Sequence, residues 1–370
     1  MQNRHMVWGL VIGLLAGSAI AQDPLAGEDP DANSIQSADW WGDARLWYDH
    51  VTDLAGRDDV ERARLRLRSG WRGTVNQFDW GITFEGAVGS DGNELNRINL
   101  DNERIDDLNL DEFYGRWNIA EGSSVQIGKA ALPIELSPML FDPDLRPLGV
   151  SVLHSQAFGD FNRWSIGAGY FAGDHLYGDE SRLAAVQVGV HFREGMDWSW
   201  HGQLAYLDWS DIDVLAVQGL GRTNQRIQGG NVFRSDYRIV DLQLGARGQL
   251  FDWPFRFDLD LARNTGVEAA PGVDEGDLRD AARVSAVLGD RRGLNGVEVG
   301  VACQRIQRDA VLAAFSDDEW WFHSFSRGCL PWVGYGISDR LSTRLAFSQE
   351  RRDDQPENVE RLLLDLEYRW

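Results

Sequence analysis

The side chains here that could do chemistry are arginines and carboxylates, because no group able to make or break bonds sits in a usable constellation. Seven histidines are scattered through the chain, without the paired spacing that holds a metal on a helix. No nucleophile elbow presents a serine, and no glycine-rich loop is built to cradle a phosphate. His191 falls on the polar face of its segment with no serine to match it. Neither catalysis nor a cofactor is expected.

The positive charge is almost wholly guanidinium, since the chain has a single lysine, Lys129. Arginine stays charged when partly desolvated and grips a carboxylate with two parallel bonds. Arg62, Arg64, Arg66 and Arg68 recur at every second residue, Arg72 follows, and Arg116 lies further along. A candidate acidic counterpart is Glu135, Asp142 and Asp144, in the stretch ALPIELSPMLFDPDLRPLG at 131–149. That stretch also carries Leu132, Ile134, Leu136, Met139, Leu140, Phe141 and Leu145, too many apolar groups for a loop left in water.

The elements that position these groups follow from the same spacing. Ala63, Leu65, Leu67 and Trp71 interleave with the arginines, and a period of two sends the two sets to opposite faces of a strand. Phe78, Trp80, Ile82, Phe84 and Val88 against Gln77, Asp79, Thr83 and Glu85 repeat the theme. So do Val186, Val188, Val190 and Phe192 against Gln187, His191 and Arg193, and Phe255, Phe257, Leu259 and Leu261 against Arg256, Asp258 and Asp260. Charges at every second position suit a sheet with one wet and one apolar face.

About sixteen such segments are expected, many of a length suited to a tilted spanning strand. They fall at 41–50, 61–74, 76–89, 108–119, 123–130, 150–158, 162–173, 183–194, 197–209, 236–251, 253–263, 281–290, 295–307, 323–337, 339–350 and 360–370. Alternation is least regular in 123–130, 150–158 and 323–337. Short turns near Asn76, Glu121, Asp160, Gly195, Asp252, Arg292 and Ser338 alternate with longer polar stretches at 51–60, 90–107, 131–149, 174–182, 210–235, 264–280, 308–322 and 351–359. An even count with short turns at one end and long loops at the other is the arrangement of a transmembrane antiparallel β-barrel, an all-β fold.

The start of the chain reads as an address. Arg4 and His5 precede an apolar run from Met6 to Ala16, and Ala19-Ile20-Ala21 offers small residues for cleavage after Ala21. A transmembrane helix competes for this run, which is too short for one. Residues 1–21 are thus expected to be a signal peptide, 22–38 a flexible extension, and 39–370 the barrel. The net charge of −22 excludes nucleic acid as a partner. Leu362, Leu364, Leu366, Tyr368 and Trp370 alternate with Arg361, Asp365, Glu367 and Arg369, an aromatic-ended closing strand of the kind that barrel assembly machinery engages.

The segments Ala63-Arg64-Leu65-Arg66-Leu67-Arg68, Gln126-Ile127-Gly128-Lys129 and Phe141-Asp142-Pro143-Asp144-Leu145-Arg146-Pro147-Leu148-Gly149 resemble a family of Gram-negative outer-membrane porins. They are more distantly similar to phosphate-selective porins, whose lysine-rich loop is missing here. The resemblance covers roughly Asp43 to Val152. It implies a single-domain channel in the outer membrane, passing small hydrophilic solutes or ions by passive diffusion. By analogy with similar porins it implies an inward-folded third loop and a homotrimer among outer-membrane lipids and lipopolysaccharide. The arginines at 64, 66, 68, 72 and 116 would then face Glu135, Asp142 and Asp144 across a constriction, since charged rings are how pores select ions. A solvated face of paired charges is the plainer reading of the same residues.

Two other classes stay open: a non-conducting barrel used for adhesion or structure, and a secreted all-β carbohydrate-binding protein. The second draws on 16 tryptophans. Trp40, Trp41, Trp71, Trp80, Trp198, Trp200, Trp320 and Trp321 lie near expected strand ends, where interfacial aromatic girdles also place them. Asp101, Glu103, Asp106, Asp107 and Asp111 could offer oxygen to calcium or magnesium bridging lipopolysaccharide, though their spacing matches no defined site. Cys303 and Cys329 are equidistant from Ser316, so a symmetric hairpin would set them opposite each other in an oxidising compartment.

Overall fold

The computed structural model describes residues 37–99, 106–159, 161–173, 180–194 and 198–370. The expected signal peptide, most of the extension that follows it, Asp101, Glu103, and the turn positions Asp160 and Gly195 lie outside the described residues. The first nine strands are β1 (Ser37–Thr52), β2 (Val60–Val75), β3 (Phe78–Gly89), β4 (Asp107–Ala120), β5 (Ser123–Lys129), β6 (Leu148–Phe158), β7 (Asn162–Ala172), β8 (Arg182–Glu194) and β9 (Trp198–Ser210). A small ribbon of β10 (Arg226–Ile227) and β11 (Val232–Phe233) interrupts the series outside the main sheet. The series resumes with β12 (Arg238–Leu250), β13 (Trp253–Asn264), β14 (Asp280–Gly289), β15 (Val297–Ile306), β16 (Ser326–Gly336), β17 (Leu341–Arg352) and β18 (Val359–Arg369).

Apart from the ribbon, these strands form one closed antiparallel barrel of sixteen, sealed where β1 pairs with β18. Every segment expected from the alternation is a strand, including the three with the least regular pattern. Closure leaves no unpaired edge, the condition for crossing lipid with strands. Gly42 permits the seal: a Cβ there would run into the indole of Trp370, and the Trp370 backbone N–H donates to the Gly42 carbonyl at 3.1 Å.

Burial in β2 is inverted relative to a water-soluble protein. Arg62 and Arg64 are each 2% exposed, while Leu65 and Leu67 are 43% and 50% exposed. The charged set faces inward and the leucines face outward, where only an apolar solvent accommodates a whole band of them.

Near the turn end, outward aromatics cluster. Trp40 lies 5.7 Å from Trp370, and Trp198 lies 6.1 Å from both Trp200 and Phe255. The expected girdle is corrected at three positions. Trp41 faces the lumen, where Arg72 sits 3.8 Å above its ring, because its place in the alternation matches that of inward Asp43 and Arg45. Trp320 and Trp321, each 4% exposed, are buried in a folded loop, a better refuge for two indoles than either interface. His323–Phe325 likewise belong to that loop, so the strand expected from 323 begins at Ser326.

Among the described residues two short α-helices lie in the long loops, α1 (Asn93–Ile98) and α2 (Asp213–Val217), where no helix was expected. Cys303 and Cys329 are register partners on β15 and β16, joined with Sγ atoms 2.05 Å apart.

Candidate functional site

The lumen wall has two unlike sectors. Along β1, β2, β4, β17 and β18 it is a lattice of guanidinium and carboxylate groups. Asp49 accepts from Arg62 at 3.0 Å and from Arg361 at 2.8 Å. Arg68 reaches Asp43 at 2.9 Å, Arg45 reaches Asp365 at 2.9 Å, and Arg72 reaches Glu112 at 2.8 Å. Arg64 lies 5.4 Å over the Trp47 ring, which Arg45 also approaches at 5.1 Å. The strands impose this spacing, because alternate residues on neighbouring antiparallel strands meet side by side.

Across the lumen, at the loop end of β7 to β15, the wall is apolar. Phe171, Leu183, Leu207, Trp209, Ile239 and Ile306 are all nearly inaccessible. They form one hydrophobic cluster with residues of the third loop (130–147), the fifth (211–237) and the seventh (307–325).

The third loop runs from one sector to the other. Gln187 Oε1 accepts the Glu135 N–H at 3.2 Å, Gln243 Nε2 donates to the Glu135 carbonyl at 3.1 Å, and Gln203 Nε2 donates to its carboxylate at 2.5 Å. Ser137 Oγ donates to Asp260 at 3.0 Å. Two further turns bring Asp144 to the basic sector, where Arg66, Arg68 and Arg45 lie at 3.0, 3.5 and 3.7 Å from its oxygens. Arg146 then bonds Glu112 at 3.3 Å.

The seventh loop fastens to it. The Asp142 N–H donates to the Phe315 carbonyl at 2.7 Å, the Asp317 N–H to the Pro138 carbonyl at 3.0 Å, and Ser316 Oγ to the Met139 carbonyl at 2.8 Å. Phe315 stacks on Trp209 at 4.3 Å and on Phe141 at 5.9 Å. On the charged side, Glu319 pairs with Arg344, and the Trp321 and Phe322 N–H groups donate to the Glu350 carboxylate at 2.7 and 3.0 Å.

Of the residues singled out from the sequence, Arg66, Arg68 and Asp144 are therefore brought together. Arg64 sits beside them under Trp47, and Arg72 is linked to the third loop only through Glu112. Arg116 is elsewhere, bonded to Gln126 at 2.8 Å near the turn end. Glu135 does not face the arginines, because three glutamines hold it on the opposite wall. Asp142 turns away from them too, toward Asp317 and Asp318, with one oxygen of each within 4.8 Å of the others. Sequence reasoning missed Arg45, Glu319 and Arg344. The signal was present: Ala310–Phe315 and Trp320–Phe322 are apolar runs inside a stretch taken as polar, and they mark a second buried loop by the same logic as 131–149.

The loop carboxylates respond to these surroundings in opposite directions. Burial alone would raise Asp144, but Arg66, Arg68 and Arg45 outweigh it and hold the group well below the usual range. Glu319 is likewise held down at about 2, chiefly by Arg344 against the cost of burial. Burial pushes Asp317 up to about 7, with Glu319 and Asp318 adding to the effect. Burial, then Asp318, Asp317 and Asp144, raises Asp142 well above normal.

A carboxyl raised on folding stabilises below its unfolded value of about 3.9, and that contribution is lost as pH climbs through the folded value. Asp144 and Glu319 act oppositely, losing their contribution as pH falls below about 4 toward their folded values. Docking of the seventh loop is thus expected to loosen as pH rises from about 4 to 7, and Asp317→Asn to flatten that response. Limited proteolysis of the detergent-folded barrel across this range would test it. An undiminished pH dependence in the variant would refute the assignment.

No family model matches the chain, and no curated protein matches its sequence. Solved structures match it by shape. OprB of Pseudomonas putida superposes with a TM-score of 0.56 at 11% identity, over 90% of this chain and 94% of that one. OmpF of Salmonella typhi, solved with daunomycin, gives 0.54 at 9% identity over 90% and 98% of the two chains. A BenF-like porin from Pseudomonas fluorescens gives 0.52 at 10% identity, again over 90% and 98%. At such identities the likeness shows the fold, a sixteen-strand barrel of porin type.

Proposed function

We propose that the chain is a diffusion porin of a Gram-negative outer membrane, passing small hydrophilic solutes or ions along the charged sector of its lumen. The observation that carries this reading is the meeting of loop carboxylates Asp144 and Glu319 with Arg45, Arg66, Arg68 and Arg344, inside a closed sixteen-strand barrel. Barrels of about 16 strands leave room for an aqueous path, and a wall so dense in charge requires water or counter-charge along its length. Size would be limited by the third and seventh loops, and ion preference by the guanidinium and carboxylate groups that border the gap. Transport of this kind needs no cofactor and no bond-making residue. Secretion by cleavage near Ala21, delivery by the barrel assembly machinery and a homotrimer in the membrane complete the proposal.

Purified protein in a planar bilayer is expected to give discrete, stepwise conductance. A salt gradient would then report through the reversal potential whether arginines or carboxylates dominate. A folded, inserted barrel that never conducts would overturn the reading.

A further inference from the structure

At the loop end, between the fifth, seventh and eighth loops, lies a cavity of about 550 Å³ whose wall is unusual for so acidic a chain. Arg222, Arg226, Arg234, Arg308 and Arg352 line it, and Asp354 is the one carboxylate among its lining residues. Asp354 is already shared, 3.6 Å from Arg308 and 2.5 Å from Arg352. Arg226 and Arg234 make no ion pair among the described residues.

The floor of the cavity is built rather than incidental. Asn224 Nδ2 donates to the carbonyls of Arg308 at 2.7 Å and Val311 at 2.9 Å, and its oxygen accepts the Ala313 N–H at 2.9 Å. Thr223 and Ser324 hydroxyls meet at 2.6 Å, and Ser324 also donates to the Arg308 carbonyl at 3.0 Å. These bonds tie the fifth loop to the seventh. The Arg308 guanidinium lies 3.7 Å over the centroid of the Phe325 ring, a cation–π contact that holds it at the cavity wall.

The guanidinium groups around this space outnumber Asp354, the one carboxylate lining it, and repel one another. Arginine forks match carboxylate, phosphate and sulfate oxygens two at a time. The volume falls within the range of small-molecule sites, roughly 300–1,000 Å³.

We propose that this cavity is a binding site for a small solute carrying two or more anionic groups, held at the mouth of the barrel by Arg226, Arg234, Arg308 and Arg352. The site goes beyond the diffusion reading, and occupancy does not depend on conduction. It concentrates multiply charged anions where a simple sieve would be indifferent to them.

Calorimetric titration of the full, detergent-folded protein at low salt tests this, with pyrophosphate and citrate as probes and sucrose as the neutral control. Both anions are expected to bind at one site and sucrose not to bind. Arg226→Gln combined with Arg234→Gln is expected to weaken pyrophosphate by on the order of tenfold or more. Arg305→Gln, outside the cavity, is expected to leave the affinity unchanged. Equal binding of sucrose, or pyrophosphate affinity untouched by the double replacement in a barrel that keeps its folded mobility, would overturn the proposal. A barrel that conducts yet binds neither anion overturns this site alone. One that binds but never conducts upholds the site while removing the diffusion reading.

Discussion

Replacing Arg66 and Arg68 together by alanine is expected to raise cation permeation by about sevenfold and to lower anion permeation by about the same factor. A unit charge roughly 7 Å from the path of an ion contributes about 0.6 kcal/mol at the dielectric of water, a factor of nearly three for each guanidinium. Both arginines touch Asp144, at 3.0 and 3.5 Å, so the double change leaves that carboxylate with Arg45 alone, at 3.7 Å. Reversal potentials under a salt gradient measure the ratio, and high salt should shrink the difference by screening. If the potential does not move, ions do not pass this sector. Asp144→Asn should move it the other way, toward anions, which separates a charge effect from a change in bore.

The second large effect is expected from Phe315→Ala. Phe315 is 1% exposed, and its ring is sandwiched by Trp209 and Phe141. Truncating a buried phenylalanine costs about 3–5 kcal/mol. Here the loss falls on the docking of two loops rather than on the barrel, whose strand ladder does not involve this ring. The seventh loop should undock and the third lose its support, so single-channel conductance and the uptake of sugars into liposomes should both rise. The folded, heat-modifiable band on a gel should persist. A variant that folds and conducts like the parent would show that the apolar cluster does not bound the path.

The barrel was legible because lipid and lumen impose opposite demands on alternate residues, and β2 writes that demand plainly as Arg-Leu-Arg-Leu-Arg. Even weak segments were recoverable, since a closed barrel with long loops at one end fixes their number and direction. The charged cluster around Asp144 was legible only in part. Arg66, Arg68 and Asp144 followed from the strand pattern and the apolar third loop. Arg45 did not stand out, because its own strand lacks a run of arginines, and its partner Asp365 is 320 residues away. Glu135 misled because proximity in sequence to Asp142 says nothing about which wall a loop reaches first. The seventh loop was hidden by its acids, Asp317 to Glu319, which made a buried segment read as a solvated one.

The division of the lumen into a packed sector and a charged one has an evolutionary consequence. In most folded proteins the residues that set specificity share their neighbours with those that hold the structure, so one cannot drift without the other. Here the two inventories occupy different arcs of the same cylinder. Phe171, Leu183, Leu207 and Phe315 serve as ballast, while Arg45, Arg66, Arg68 and Arg344 line the opposite bank. Under the proposed diffusion reading, selection can exchange charges along that bank, one guanidinium at a time, and change what the cell admits while the ballast stays as it is.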